Sequence, residues 1–87
     1  MKLEQIRKKI NKIDHEIIHL LASRQACSFA VGKYKKKNGL KIYQPKREQE
    51  MLVKNSKLAK KFNVDQNLVT KIFRLIVKDS RNIQKGI

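Results

Sequence analysis

An all-α fold is predicted, with three helices per chain, a long first helix and two chains intertwined in a homodimer. Three observations carry this. Apolar residues recur every three or four positions, no segment alternates as a half-buried strand does, and the single proline among 87 residues stands at position 45. There is no internal repeat and no low-complexity linker, so residues 1–87 are expected to form one domain.

Leu3, Ile6, Ile10, Ile13, Ile17, Leu20, Cys27, Val31 and Tyr34 step by three or four, broken only at position 24. The pattern predicts one helix over roughly residues 2 to 37. Such a helix is about 54 Å long, whereas a compact globule of this size is only about 30 Å across. The apolar stripe therefore runs past the body of its own chain, and a second copy is its simplest cover. The small size argues the same way, because so short a chain buries only about 60% of the surface its unfolded form exposes.

Asn38-Gly39 is expected to close the first helix, since glycine adopts the left-handed conformation without a Cβ penalty. Leu40 to Gln44 reads as a loop. Pro45 suits the first turn of a second helix, which the pattern Met51, Leu52, Asn55, Leu58, Ala59, Phe62 carries to about Phe62. Asn63-Val64-Asp65 reads as a turn in which Asp65 caps a third helix and Val64 staples onto Val69. That helix is expected over about Gln66 to Gln84, with Leu68, Val69, Ile72, Phe73, Ile76 and Val77 facing inward.

Composition excludes several classes. No apolar run exceeds three residues, which rules out a transmembrane helix, and the N-terminus opens directly into an amphipathic pattern rather than a signal peptide. The expectation is a cytoplasmic protein that does not engage membranes. Cys27 is the only cysteine and is expected to be a small buried hydrophobe in a reducing compartment. His15 and His19 form an i, i+4 pair without a third ligand in view and read as solvated, so neither metal nor cofactor is expected. With 22 Lys+Arg against 7 Asp+Glu the formal charge is +15, which invites a nucleic-acid reading. Most of these cations are lysines, however, and the aromatics show no RNP-like clustering. A basic nucleic-acid-binding module is thus the weakest alternative.

The informative residues are polar ones on stripes that ought to be apolar. Arg24 follows Leu20 by four and precedes Cys27 by three, in the middle of the first helix's inward face. Lys35 lies eleven residues on, about three turns of helix, on the same face. Two cations on one stripe without an acid between them call for an anion from elsewhere. Arg47 and Glu48 open the second helix one turn before Met51 and Leu52. On the third helix the inward stripe continues by fours into Ser80 and Gln84. Arg7 is about 100° off the face of Arg24, so it reaches a shared pocket only from a partner chain whose long helix runs antiparallel. Together these groups describe a cationic cavity with one carboxylate and no nucleophile–base pair; Ser80 has no histidine at a suggestive spacing.

The string Arg7, Asp14, Leu20-Leu21-Ala22-Ser23-Arg24, Gly32-Lys33-Tyr34-Lys35, Pro45-Lys46-Arg47-Glu48, Asp79-Ser80 and Gln84 resembles the all-helical chorismate mutase family, ungapped over nearly the whole chain. The resemblance implies an intertwined three-helix homodimer of the shikimate pathway of aromatic amino acid biosynthesis, converting chorismate to prephenate by a Claisen rearrangement without a cofactor. It implies that Arg24 and the partner's Arg7 bind the two substrate carboxylates and that Lys35 and Gln84 donate to the ether oxygen. It further implies that Arg47 adds charge near the ring, Glu48 accepts from the ring hydroxyl and Ser80 touches a carboxylate. Gln84, a neutral amide, donates without needing protonation, as a Glu there would. One departure stands just before Pro45, where an Asp is common in the family and this chain has Gln44, a poorer helix cap without charge. With only three residues after Gln84, a monofunctional enzyme is expected. An isochorismate-pyruvate lyase on the same fold is the nearest alternative.

Overall fold

The computed structural model describes residues 2–87 and contains three helices, α1 (Leu3–Lys37), α2 (Pro45–Lys61) and α3 (Gln66–Lys85), with no strand among the described residues. Each boundary lies within a residue or so of its expected position, because the signals that set it are local. At the start of α1 the Gln5 side chain accepts from the Lys2 backbone amide at 3.1 Å. At its end Gly39 takes φ +65, the Leu40 amide donates to the Lys35 carbonyl at 2.8 Å and the Gly39 amide to that of Lys36 at 3.5 Å. This is the Schellman closure that the left-handed glycine permits. The end of α2 repeats it with Asn63 at φ 57, where the Val64 amide reaches the Ala59 carbonyl at 2.9 Å. Pro45 fills the first turn of α2, and the Asp65 carboxylate accepts from the Asn67 amide to cap α3.

Helix α3 packs on both other helices, while α1 and α2 do not pack on each other. The pairings Gln25 with Asp79 and Lys36 with Ile87 set α1 and α3 parallel; Glu48 with Arg81 and Ser56 with Gln66 set α2 antiparallel to α3. The molecule is a slab of 55 × 24 × 15 Å whose long axis matches the length expected of α1, and its radius of gyration of 16.0 Å exceeds the ~12 Å of a compact chain of this size. Among the described residues no helix is long and apolar enough to cross a membrane.

Burial corrects two expectations. Among the described residues only Ala59 and Val77 are buried hydrophobics, so of the predicted inward face of α3 Val77 is enclosed, Val69, Phe73 and Ile76 are half-buried, and Leu68 and Ile72 are exposed. Cys27, expected to be buried, is exposed. For Cys27 the reason is that α3 covers one side of the C-terminal half of α1 and no other described helix packs on α1. Every residue from Leu3 to Leu20 is exposed, Ile17 at 51% and Leu20 at 65%.

Candidate active site

All three helices converge on a cavity of about 410 Å³, walled by Arg24, Ser28 and Lys35 of α1, Arg47 and Glu48 of α2, and Ser80, Arg81 and Gln84 of α3. Six of the seven residues singled out from the sequence thus line one space. Arg7, the seventh, lies on the exposed N-terminal part of α1, seventeen residues or about 25 Å of helix before Arg24, and does not reach this cavity within its own chain. A larger groove of about 590 Å³ runs along α2 past Val53 and Leu58, between Lys54, Lys57 and Lys61. It holds no converging set of polar groups, so the smaller cavity is the candidate site.

At one end Arg24 Nη1 donates to Ser80 Oγ at 2.5 Å, and Ser80 Oγ shares a hydrogen bond with Ser28 Oγ at 2.8 Å. The guanidinium is thus held by a neutral hydroxyl, which orients it without cancelling its charge, and its remaining N–H groups stay available to an anion. Ser28 is buried and completes this relay, though the sequence reading passed over it. Its position one turn after Arg24 on the same face was the available signal.

At the other end Lys35 Nζ donates to the Ile42 carbonyl and to Gln84 Oε1, both at 2.8 Å. An ammonium only donates, so it takes the amide oxygen of Gln84 and leaves the amide NH₂ free, alongside the third ammonium proton. Two donors are therefore fixed side by side in a half-enclosed space. The α1–α2 loop contributes directly, since the Schellman turn folds the chain back far enough for the Ile42 carbonyl to meet Lys35. Gln84 is buried, so the polar end of α3 does not fray into water.

Gly32 brings these elements together. A Cβ there would lie 2.9 Å from Gln84 Cγ and 3.2 Å from Gln84 Cα, and would collide with Ile87 Cδ1. Only a glycine lets α3 approach α1 closely enough for Gln84 to meet Lys35 one turn further on.

On the α2 side, Glu48 pairs with Arg81, Nε to Oε2 at 3.4 Å, and the Arg81 guanidinium lies 5.0 Å from the centre of the Tyr43 ring. The sequence reading missed Arg81; a lone arginine on a helix is ordinarily solvated, and only the meeting of α2 with α3 gives this one a role. Gln44 lines the cavity at the N-cap of α2 and makes no side-chain cap bond, as its poor capping chemistry suggests. Among the described residues no cluster of three or more His, Cys, Asp or Glu side chains could hold a metal ion.

Comparison with known proteins bears on the chain as a whole. The model of the family "Chorismate mutase type II" matches residues 6–85. The chain belongs to this chorismate mutase family. The match runs from before Arg7 to beyond Gln84, so every site residue inferred from the resemblance lies within it. A chorismate mutase of Methanocaldococcus jannaschii is 38% identical over 84 residues, which are 97% of this chain and 85% of that protein. A bifunctional chorismate mutase/prephenate dehydratase of Buchnera aphidicola is 38% identical over 81 residues, and the T-protein of Haemophilus influenzae 35% over 78. These two cover 93% and 90% of this chain, but the chain spans only 21% of their length. Membership of the chorismate mutase family makes the chain an isomerase, in line with a site that has no nucleophile–base pair.

Proposed function

We propose that the chain, as one domain over residues 1–87, converts chorismate to prephenate in the cytoplasm, in a cationic pocket completed by a second copy of itself. The observation that carries the reading is the coupling of two donor-bearing side chains, Lys35 Nζ donating to Gln84 Oε1 at 2.8 Å and so leaving the Gln84 NH₂ free, at one end of a cavity whose other end presents Arg24. A Claisen rearrangement is unimolecular and concerted; it needs no nucleophile and no proton transfer. What it needs is a folded, reactive conformer and positive charge where the breaking ether bond leaves electron density on oxygen.

Arg24 binds one substrate carboxylate with Ser80 beside it, Arg47 adds positive charge near the ring, and Glu48 accepts from the ring hydroxyl. Lys35 and Gln84 donate to the ether oxygen. Because both are already oriented, they pay no reorganisation cost as charge develops, and a donor of this kind is worth about 3 to 4 kcal/mol.

The second carboxylate falls to Arg7 of the partner subunit. For it to come level with Arg24 on an antiparallel α1, the two-fold axis passes close to His15 and Glu16, midway between them in sequence. The seam around that axis is the exposed stripe Ile6, Ile10, Ile13 and Ile17, and such a seam buries the surface that one chain leaves uncovered.

The test is turnover. Purified protein should consume chorismate and yield a product that acid converts to phenylpyruvate; an uncatalysed rate would refute the reading, and isochorismate run in parallel tests the lyase alternative. Mixing Arg7→Ala with Arg24→Ala chains tests the shared pocket, because each heterodimer regains one intact site. Activity no higher than in either parent would refute the cross-chain assignment.

A further inference from the structure

Glu48 is the single acid lining a cavity that also presents Arg24, Lys35, Arg47 and Arg81, and its neighbour in that wall, Gln44, is neutral. A lone carboxylate among four cations has an obvious misplacement. If it swung onto Arg24 or Arg47, it would occupy a guanidinium meant for the substrate and withdraw its own oxygen from the ring. The structure holds it elsewhere. Arg81 Nε lies 3.4 Å from Glu48 Oε2, and the Arg81 guanidinium is backed by the Tyr43 ring at 5.0 Å. The pair is partly shielded from solvent, with side chains 33% and 20% exposed, so it is screened less than a surface ion pair. Its geometry is that of an ion pair rather than a hydrogen bond: the buried Arg81 Nε has no hydrogen-bond partner. Glu48 thereby keeps Oε1 uncommitted.

We propose that Arg81 is a positioning residue for the substrate's ring hydroxyl: it draws Glu48 to the α3 side of the cavity, presenting one carboxylate oxygen to the hydroxyl and leaving Arg24 and Arg47 free for anionic groups. This rests on the chorismate mutase reading. The hydroxyl takes no part in the bonds that break and form, so a loose Glu48 weakens ground state and transition state alike, which is expressed in KM rather than kcat.

Chorismate kinetics on the intact protein test it. Arg81→Met, which keeps bulk against Tyr43 and removes the charge, should raise KM about fivefold to twentyfold with kcat changed less than about threefold. Arg81→Lys should recover much of that loss, and Arg81→Met combined with Glu48→Gln should be no worse than Glu48→Gln alone. The non-additivity separates positioning from simple attraction of a dianion, which would persist without Glu48. An Arg81→Met KM within about twofold of the parent overturns the proposal, as do additive losses in the double variant. So does a loss that tracks a fall in Tm and is not rescued by lysine. A parent protein that leaves chorismate untouched overturns the functional reading and this assignment with it, whereas a parent that turns over with an indifferent Arg81→Met overturns the assignment alone.

Discussion

Replacing Gly32 with alanine separates the geometry of the site from the stability of the fold. The added Cβ would sit 2.9 Å from Gln84 Cγ and 3.2 Å from Gln84 Cα, besides its collision with Ile87 Cδ1. The two side-chain atoms can rotate away, but Gln84 Cα is backbone and retreats only if the last turn of α3 moves. Ordinary carbon contacts lie at about 3.5 to 4.0 Å, so that turn must withdraw by roughly half an ångström. The Lys35–Gln84 hydrogen bond, now 2.8 Å, then stretches past the usual range for a charge-assisted contact. On stability the effects oppose. Alanine in a helix interior gains about 1 kcal/mol over glycine, while overpacking costs about 1 to 3 kcal/mol, so the net loss is about 2 kcal/mol at most. On activity nothing opposes. A misplacement of 1 Å costs about a hundredfold, so half of that predicts a fall in kcat of about tenfold. Steady-state chorismate turnover alongside thermal unfolding reads both quantities. Gly86→Ala is the control, because a Cβ there meets only Ile83 O at 3.5 Å and Asn82 O at 3.8 Å, and its activity should not change. Gly32→Ala with parental kcat and parental Tm would show that the close approach of α3 to α1 does not set the donor pair.

Three further outcomes follow from the same structure. Lys35→Ala should lower kcat/KM by about a hundredfold to a thousandfold, as for loss of one preorganised donor, with little change in secondary structure by circular dichroism. Ile13→Glu, in the exposed stripe of α1, should shift the protein from dimer to monomer in sedimentation and abolish activity with it; an active monomer would refute the two-chain pocket. Asp65→Ala, which removes the carboxylate capping the Asn67 amide, should cost about 1 kcal/mol in denaturant unfolding and leave kcat unchanged, since the cap is remote from the cavity.

The site was legible in the sequence to the extent that each helix announces its own faces. Arg24 and Lys35 stood out as cations on an apolar stripe, and Ser80 and Gln84 as polar continuations of another; the cavity contains all four. Ser28 and Arg81 escaped because each matters through a partner on another helix. The Lys35–Ile42 contact escaped because it depends on the path of a loop without periodicity. The inward face of α3 was overread, Leu68 and Ile72 being exposed, because a periodic pattern tells which side of a helix is apolar and not what covers it.

What the sequence alone determined was therefore the set of elements: three helices, their ends at Gly39, Pro45, Asn63 and Asp65, and the faces on which charge interrupts apolar residues. These rest on interactions within one or two turns, which the order of residues specifies directly. Only the tertiary structure decided the parallel packing of α3 on α1, the notch at Gly32 through which Gln84 meets Lys35, and the hold of Arg81 on Glu48. Those are contacts between residues some thirty to fifty positions apart, and their geometry follows from how helix surfaces interlock rather than from any local pattern.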